Sequence, residues 1–172
     1  MVNSVMPLMR IPVGVILERR KTSSPWIDAV WRPTAILGGS PDAEPWTVLG
    51  TDAETTTFFA GLADIELYRT ETENYRSNLA SAAPSIWVAL YPTGGEPPYE
   101  IAAVTADPAE GEALTEPGQA IVEAVAMPMS VRDAIALFIN DYHVERVFQK
   151  RERDDADPEA LARRGPMSGK RP

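Results

Sequence analysis

The sequence predicts a mainly β domain of the α+β class. Its expected architecture is an antiparallel, curled or barrel-like sheet of six to seven short strands, with a short middle helix and a long C-terminal helix. Three observations carry this. Short apolar runs rich in Val, Ile, Thr and aromatic residues recur between Gly/Pro turn signals. No long helix separates them, as the crossovers of a parallel sheet would require. Only the stretch that begins at Ser130 keeps a helical period over several turns.

The elements follow in order. Residues 11–19 alternate Val13, Val15 and Leu17 against Gly14, Ile16 and Glu18, a first strand. Thr22-Ser-Ser-Pro25 is a turn, and residues 31–37 form a second strand in which Pro33 marks an edge or a bulge. Gly38-Gly-Ser-Pro-Asp42 punctuates before a short strand at 46–50. Residues 55–61 and 63–69 read as two more strands. Residues 71–81 have helical composition, with Tyr75 and Leu79 four apart on one face. Residues 85–91 are the most apolar strand, with Trp87 as a core residue, and Pro92-Thr-Gly-Gly-Glu-Pro-Pro98 joins them to 99–105 in a hairpin. Asp107-Pro108 opens a short acidic turn of helix, and 121–127 is a last strand. From Ser130 to about Lys150, Val131, Ile135, Phe138 and Tyr142 make a core-facing stripe; Ser130 and Asp133 suit an acidic variant of the capping box.

This organisation divides the chain into a flexible extension at 1–8, one globular domain at 9–151 and a charged, poorly ordered tail at 152–172. The 172 residues suit a single domain, and 44% hydrophobic residues suffice for a core. With no cysteine and one histidine, disulfide scaffolds, thiolate zinc sites and multi-histidine metal centres are excluded, and no cofactor is expected. No apolar stretch reaches the roughly 18 residues of a membrane span, and no export signal is evident, so cytoplasmic location is the expectation.

Sixteen basic against 25 acidic side chains leave a net charge of −9, which disfavours nucleic acid as a partner. The charge is uneven. Residues 42–123 hold 15 acidic side chains and only Arg69 and Arg76 as bases, a net −13, whereas the segment from Lys150 onward is +2. Two readings stand: a solvated face that keeps a small domain soluble, or an acidic face that steers a basic protein partner.

Candidate chemistry is sparse. Leu37-Gly38-Gly39-Ser40 runs into two prolines and two acids rather than a basic helix N-terminus, so it reads as a turn and not a phosphate cradle. His143 sits near the end of the long helix, where it favours the helix dipole or serves as a general base with a distant carboxylate; no partner is identifiable by spacing. Trp26 and Trp46 each follow a proline in a loop, where they either plug the open end of a barrel or anchor an interface. Arg146, Phe148, Lys150 and Arg151 belong to an apolar and basic run that either finishes the helix packing or docks a partner. Arg32, Arg69 and Arg76 are the scarce cations that would meet an anionic ligand.

Several short motifs together carry a family resemblance. They are Arg10-Ile-Pro-Val-Gly-Val-Ile-Leu-Glu-Arg19, Pro25-Trp26, Val30-Trp-Arg-Pro33 and Tyr68-Arg-Thr-Glu71 with Asn74-Tyr-Arg-Ser-Asn-Leu79. Pro84-Ser-Ile-Trp87, Pro92-Thr-Gly-Gly-Glu-Pro97, Val104-Thr-Ala-Asp-Pro108, His143-Val-Glu145 and Asp157-Pro-Glu-Ala-Leu-Ala-Arg163 complete the set. The chain resembles, from Met9 nearly to its end, an uncharacterised proteobacterial domain-of-unknown-function family. The resemblance implies a gene neighbourhood with molybdenum-dependent formate dehydrogenases and their maturation factors. Some members carry the label of a molybdopterin-guanine dinucleotide biosynthesis protein, which implies a nucleotidyltransferase; this sequence departs from that pattern, because no Lys or Arg follows Leu37-Gly-Gly-Ser40.

The expected function is therefore a non-catalytic accessory or adaptor protein, serving assembly or maturation of a molybdenum formate dehydrogenase. Its partner would be a subunit of that enzyme or a maturation factor. The expected contact residues are Trp26, Trp46, Arg146, Phe148, Lys150 and Arg151. Two alternatives remain open: a β-barrel that binds a small molecule or cofactor through Arg32, Arg69 and Arg76, and an enzyme using His143 with a carboxylate.

Overall fold

Alternation along Met9–Lys21 (β1) buries Ile11, Val13, Val15 and Leu17 on one side, and this 13-residue strand forms the spine of the first sheet. It pairs antiparallel with Ala29–Gly38 (β2) on one flank and Thr55–Leu67 (β4) on the other, and Thr47–Thr51 (β3) extends the sheet beyond β4. The second sheet has Ser85–Pro92 (β5) in the middle, between Tyr99–Thr105 (β6) and Ile121–Ala126 (β7), again antiparallel. Helices Thr72–Ala80 (α1), Pro108–Leu114 (α2) and Met129–Tyr142 (α3) complete the fold. It is a computed structural model, and it describes residues 5–116, 118 and 120–144.

The expected mainly β, antiparallel architecture with seven strands is found, divided between two sheets that are not closed into a barrel. The sheets approach each other where β4 lies beside β6 and β2 beside β7. One core lies between them. Val13, Val15 and Leu17 of β1, Ile65 and Leu67 of β4, and Ile86, Val88 and Leu90 of β5 are all fully enclosed. Each such side chain contributes roughly 1.5–3 kcal/mol by leaving water. α1 and α3 pack on one another and add Tyr75, Val131, Ile135 and Phe138.

Two coincident irregularities curl the first sheet. The β1–β4 register shifts between Val15 and Ile16, and the β1–β2 register shifts between Ile16 and Leu17, with Pro33 opposite Leu17. Bulges bend and re-aim a strand; the extra residues here are Ala60 on β4 and Thr34 on β2, while β1 keeps Val13, Val15 and Leu17 in the core and buries Ile16 as well. Pro33 thus occupies the bulge its chemistry suits. The bulge also joins what the sequence splits: residues 55–61 and 63–69 are one strand, β4, with Gly61 at φ +137° beside the shift rather than between two strands.

The remaining differences are local. α3 starts one residue before Ser130, with Pro128 as its cap and no side-chain cap bond, so the Ser130–Asp133 capping box is not formed. Val131, Ile135 and Phe138 are buried as the stripe requires, but His143 is already extended, so the helix ends at Tyr142 instead of near Lys150. The acidic turn becomes α2, capped by Asp107, whose carboxylate accepts from the amides of Ala109 and Glu110. Trp87 is half-buried rather than central, because it faces α2; Gly111 lies so close to its indole that a Cβ would not fit. No helix among the described residues is long and apolar enough to cross a membrane.

Candidate functional site

The β1–β2 connection is a built turn. The Thr22 hydroxyl donates to the Ile27 carbonyl at 2.7 Å and accepts from the Ser24 amide at 3.0 Å. The Trp26 amide donates to the Ser24 hydroxyl at 3.2 Å, and the Thr22 amide reaches the Asp28 carbonyl at 3.3 Å. These are side-chain caps of the kind Ser and Thr supply in tight turns. The turn holds Trp26 outward with 90% of its surface exposed, next to Ile27 and Val30, which are half exposed. Trp26 therefore plugs nothing.

Trp46 does the opposite. Its φ of +68° is a left-handed conformation unusual for a bulky residue, and it turns the indole onto Trp31 and Phe58, each with ring centroids 5.9 Å away. Phe58 also stacks on Trp31 at 5.3 Å, and Tyr99 of β6 lies 6.0 Å from Trp31. Half-buried and packed against the core, Trp46 belongs to packing. Arg146, Phe148, Lys150 and Arg151 lie outside the described residues.

The three arginines do not converge. Arg32 on β2 reaches Glu18 of β1 at 3.4 Å, and Arg20 holds the same carboxylate at 3.5 Å. Arg69 and Arg76 instead line a depression of about 560 Å³ with Thr72, Glu73 and His143. There His143 gains the partners that sequence spacing hid, since they are 67 and 71 residues away. Arg76 Nη1 lies 3.2 Å from Nε2, and Thr72 Oγ1 lies 3.0 Å from Nδ1. The donor and acceptor roles follow the tautomer: an Nε2 that accepts from Arg76 leaves the Nδ1 proton for Thr72, whereas an Nε2–H faces Glu73. Glu73 stands 3.5 Å from Nε2. The histidine is a clasp between α1 and the end of α3, with both ring nitrogens engaged.

A second feature has no counterpart among the expected site residues. β3 covers only residues 56–59 of β4, so among the described residues 61–67 pair with β1 on one edge and with no strand on the other. β6 is likewise an outermost strand. Between these two open edges runs a groove of about 340 Å³ lined by Asp64, Glu66, Tyr68, Glu110 and successive residues of β6. It continues into a depression of about 440 Å³ bordered by Gly61, Leu62, Tyr99 and Glu100. Arg10 pairs with Glu66 at 3.2 Å, the one ion pair described for these carboxylates. The Tyr68 hydroxyl donates to Glu66 at 2.6 Å. That bond, burial, and the nearby charges of Glu66 and Glu110 push the phenol up to about 12. In the sequence these carboxylates counted only as charge, because the strands that unite them are about 40 residues apart.

No curated protein and no solved structure matches the chain. A family profile described as a protein of unknown function (DUF3305) matches residues 12–152, from near the start of β1 past the end of α3, and the chain belongs to that family.

Proposed function

We propose that this protein is a non-catalytic accessory or adaptor protein that is held by another protein. The observation that carries this reading is Trp26: a turn tied by four hydrogen bonds holds a tryptophan almost wholly in water. Tryptophan is enriched among the residues that dominate interface energies, and a pre-ordered loop lowers the entropy lost on binding. The family resemblance supplies the partner in this proposal, a subunit or maturation factor of a molybdenum formate dehydrogenase in the cytoplasm. The acidic body favours a basic contact surface on that partner.

The test is purification of the tagged protein from its native host, together with formate dehydrogenase activity in a deletion strain. Stoichiometric recovery of an enzyme subunit or maturation factor, and loss of activity on deletion, are the expected results. Recovery alone with activity intact removes the reading.

A second reading rests on the depression at Arg69, Arg76 and His143, which would take a small anionic molecule. Native mass spectrometry of gently isolated protein discriminates it, through a stoichiometric bound mass. A reaction using His143 with Glu73 would have to displace Arg76 or Thr72 from the imidazole; unchanged activity in His143→Gln would end that reading.

A further inference from the structure

We infer that the depression walled by Trp46 and Tyr99 takes up a proline-rich, basic segment of a partner protein in the polyproline II conformation. This rests on the adaptor reading and names the chemistry of the segment that would be held.

The walls are rings already fixed in place. Trp46, Tyr99, Pro45, Pro97 and Leu62 line a depression of about 440 Å³. Trp31 braces both aromatic walls, with its ring centroid 5.9 Å from Trp46 and 6.0 Å from Tyr99, and Phe58 stacks on Trp31 at 5.3 Å. Rings in such close mutual contact leave no gap for a cation among them, so the cluster is not an ammonium cage. It offers fixed apolar ring surface instead. The Trp46 amide donates to the Phe59 carbonyl at 2.6 Å, and the Thr93 amide donates to the Pro98 carbonyl at 2.9 Å. These bonds secure the loops that carry Trp46 and Pro97, so the walls stand before a ligand arrives, which lowers the cost of binding.

Three properties select the ligand. Proline rings dock in aromatic-lined grooves, and a polyproline II segment presents them in a conformation with little entropy left to lose. Such a segment has no internal hydrogen bonds, so its carbonyls seek donors. Among the described residues, the Trp46 indole nitrogen and the Tyr99 hydroxyl have no hydrogen-bond partner. The third property is charge. Glu100 lies in the depression and Asp64, Glu66 and Glu110 line the adjoining groove, whereas no described Lys or Arg lines either. Of these carboxylates only Glu66 has a described ion pair, with Arg10. A Lys or Arg beside the prolines would meet the others.

This mode uses ring faces and side-chain donors, so it needs no strand pairing where β4 and β6 lie close together. A second copy of the chain is the poorer occupant, because its proline cluster at residues 92–98 carries Glu96 and no cation.

The experiment adds acetyl-Arg-Pro-Pro-Leu-Pro-Pro-Arg-amide to the full chain, up to millimolar concentration, and follows the protein by NMR. We expect saturable shifts at the Trp46 indole N–H and at the amides of residues 99–101. Replacing the peptide's prolines by Ala, or both of its Arg by Glu, should weaken binding at least fivefold. Glu100→Lys, at an exposed position, should weaken it about as much with the thermal midpoint unchanged. Tyr99→Phe keeps the ring and loses the donor, and should weaken binding about threefold.

No saturable shift at these residues overturns the proposal, as does an equal response to the Ala or the Glu peptide. Shifts that depend on protein concentration without peptide would assign the depression to a second copy and also overturn it. Tighter binding by a peptide copying residues 163–172, which hold four cations and two prolines, would assign it to this chain's own segment, with the same consequence. Native-host purification reports separately on the adaptor reading: a captured partner together with an unresponsive depression removes this inference alone.

Discussion

The side-chain amide of Asn78 donates to the Ala106 carbonyl at 2.8 Å, across 28 residues of sequence. The same nitrogen donates to the Ser85 carbonyl at 2.8 Å, and the Asn78 side-chain oxygen accepts from the Ser85 amide at 3.0 Å. One buried side chain on α1 therefore secures the start of β5 and the chain just past the end of β6, which fixes the second sheet on the helix.

Asn78→Ala leaves the Ser85 amide and two carbonyls without their partner, in a site only 3% exposed. An unsatisfied buried polar group costs about 1–3 kcal/mol, so we expect a loss of roughly 2–4 kcal/mol overall. Denaturant unfolding would show this as a lower midpoint at unchanged slope. Asn78→Asp should be no rescue, since a carboxylate cannot donate to either carbonyl.

Gly111→Ala opposes two effects. Alanine favours a helix over glycine by about 1 kcal/mol, but its Cβ would strike the base of the Trp87 indole, which cannot swing away freely. Overpacking of this kind costs about 1–3 kcal/mol. The net expectation is destabilisation, accompanied by a change in Trp87 fluorescence; a stabilised variant would contradict the contact.

Tyr75 is buried in the core, and its hydroxyl accepts from the Tyr68 amide at 3.0 Å. Burial raises its phenol above the ordinary value of 10, with the Asp107 and Glu71 charges adding to the shift. Its folded-state ionisation is raised, so the tyrosine's contribution to stability is complete below pH 10 and is lost as pH rises above it. Tyr68, pushed up to about 12 chiefly by its bond to Glu66, acts in the same direction. Tyr75→Phe should cost about 1 kcal/mol at neutral pH and flatten the fall in stability above pH 10. Urea midpoints measured from pH 8 to 11.5 check both effects.

Much of the fold was legible because it rests on local pattern. Strand periodicity in β1, β5 and β6 and the Pro92–Pro98 turn signals report structure that each segment imposes on itself. The misreadings occur where distant residues decide. Gly61 looks like a break between strands, yet the register shift opposite β1 keeps β4 continuous. Trp87 looks like core, yet α2 covers it because Gly111 makes room. Trp26 and Trp46 share a Pro-Trp signature, but hydrogen bonds in one turn expose the first, and aromatic rings from β2 and β4 enclose the second. The same holds for the sites. His143 was visible as the only imidazole, while its partners on α1 were not. The groove between β4 and β6 forms because β3 ends early along β4 and β6 lies beside the part that no described strand covers.

The most direct test of the central claim compares the tagged protein with its Trp26→Ala form, both recovered from the native host and quantified for co-purifying protein. Trp26 makes no described ring contact and is 90% exposed, so truncation should leave the thermal midpoint within the error of the parent. An interface anchor of this type contributes about 2 kcal/mol or more, so the account predicts that the partner's yield collapses while the fold persists. Equal recovery of the same partner by both forms, at equal stability, would contradict it.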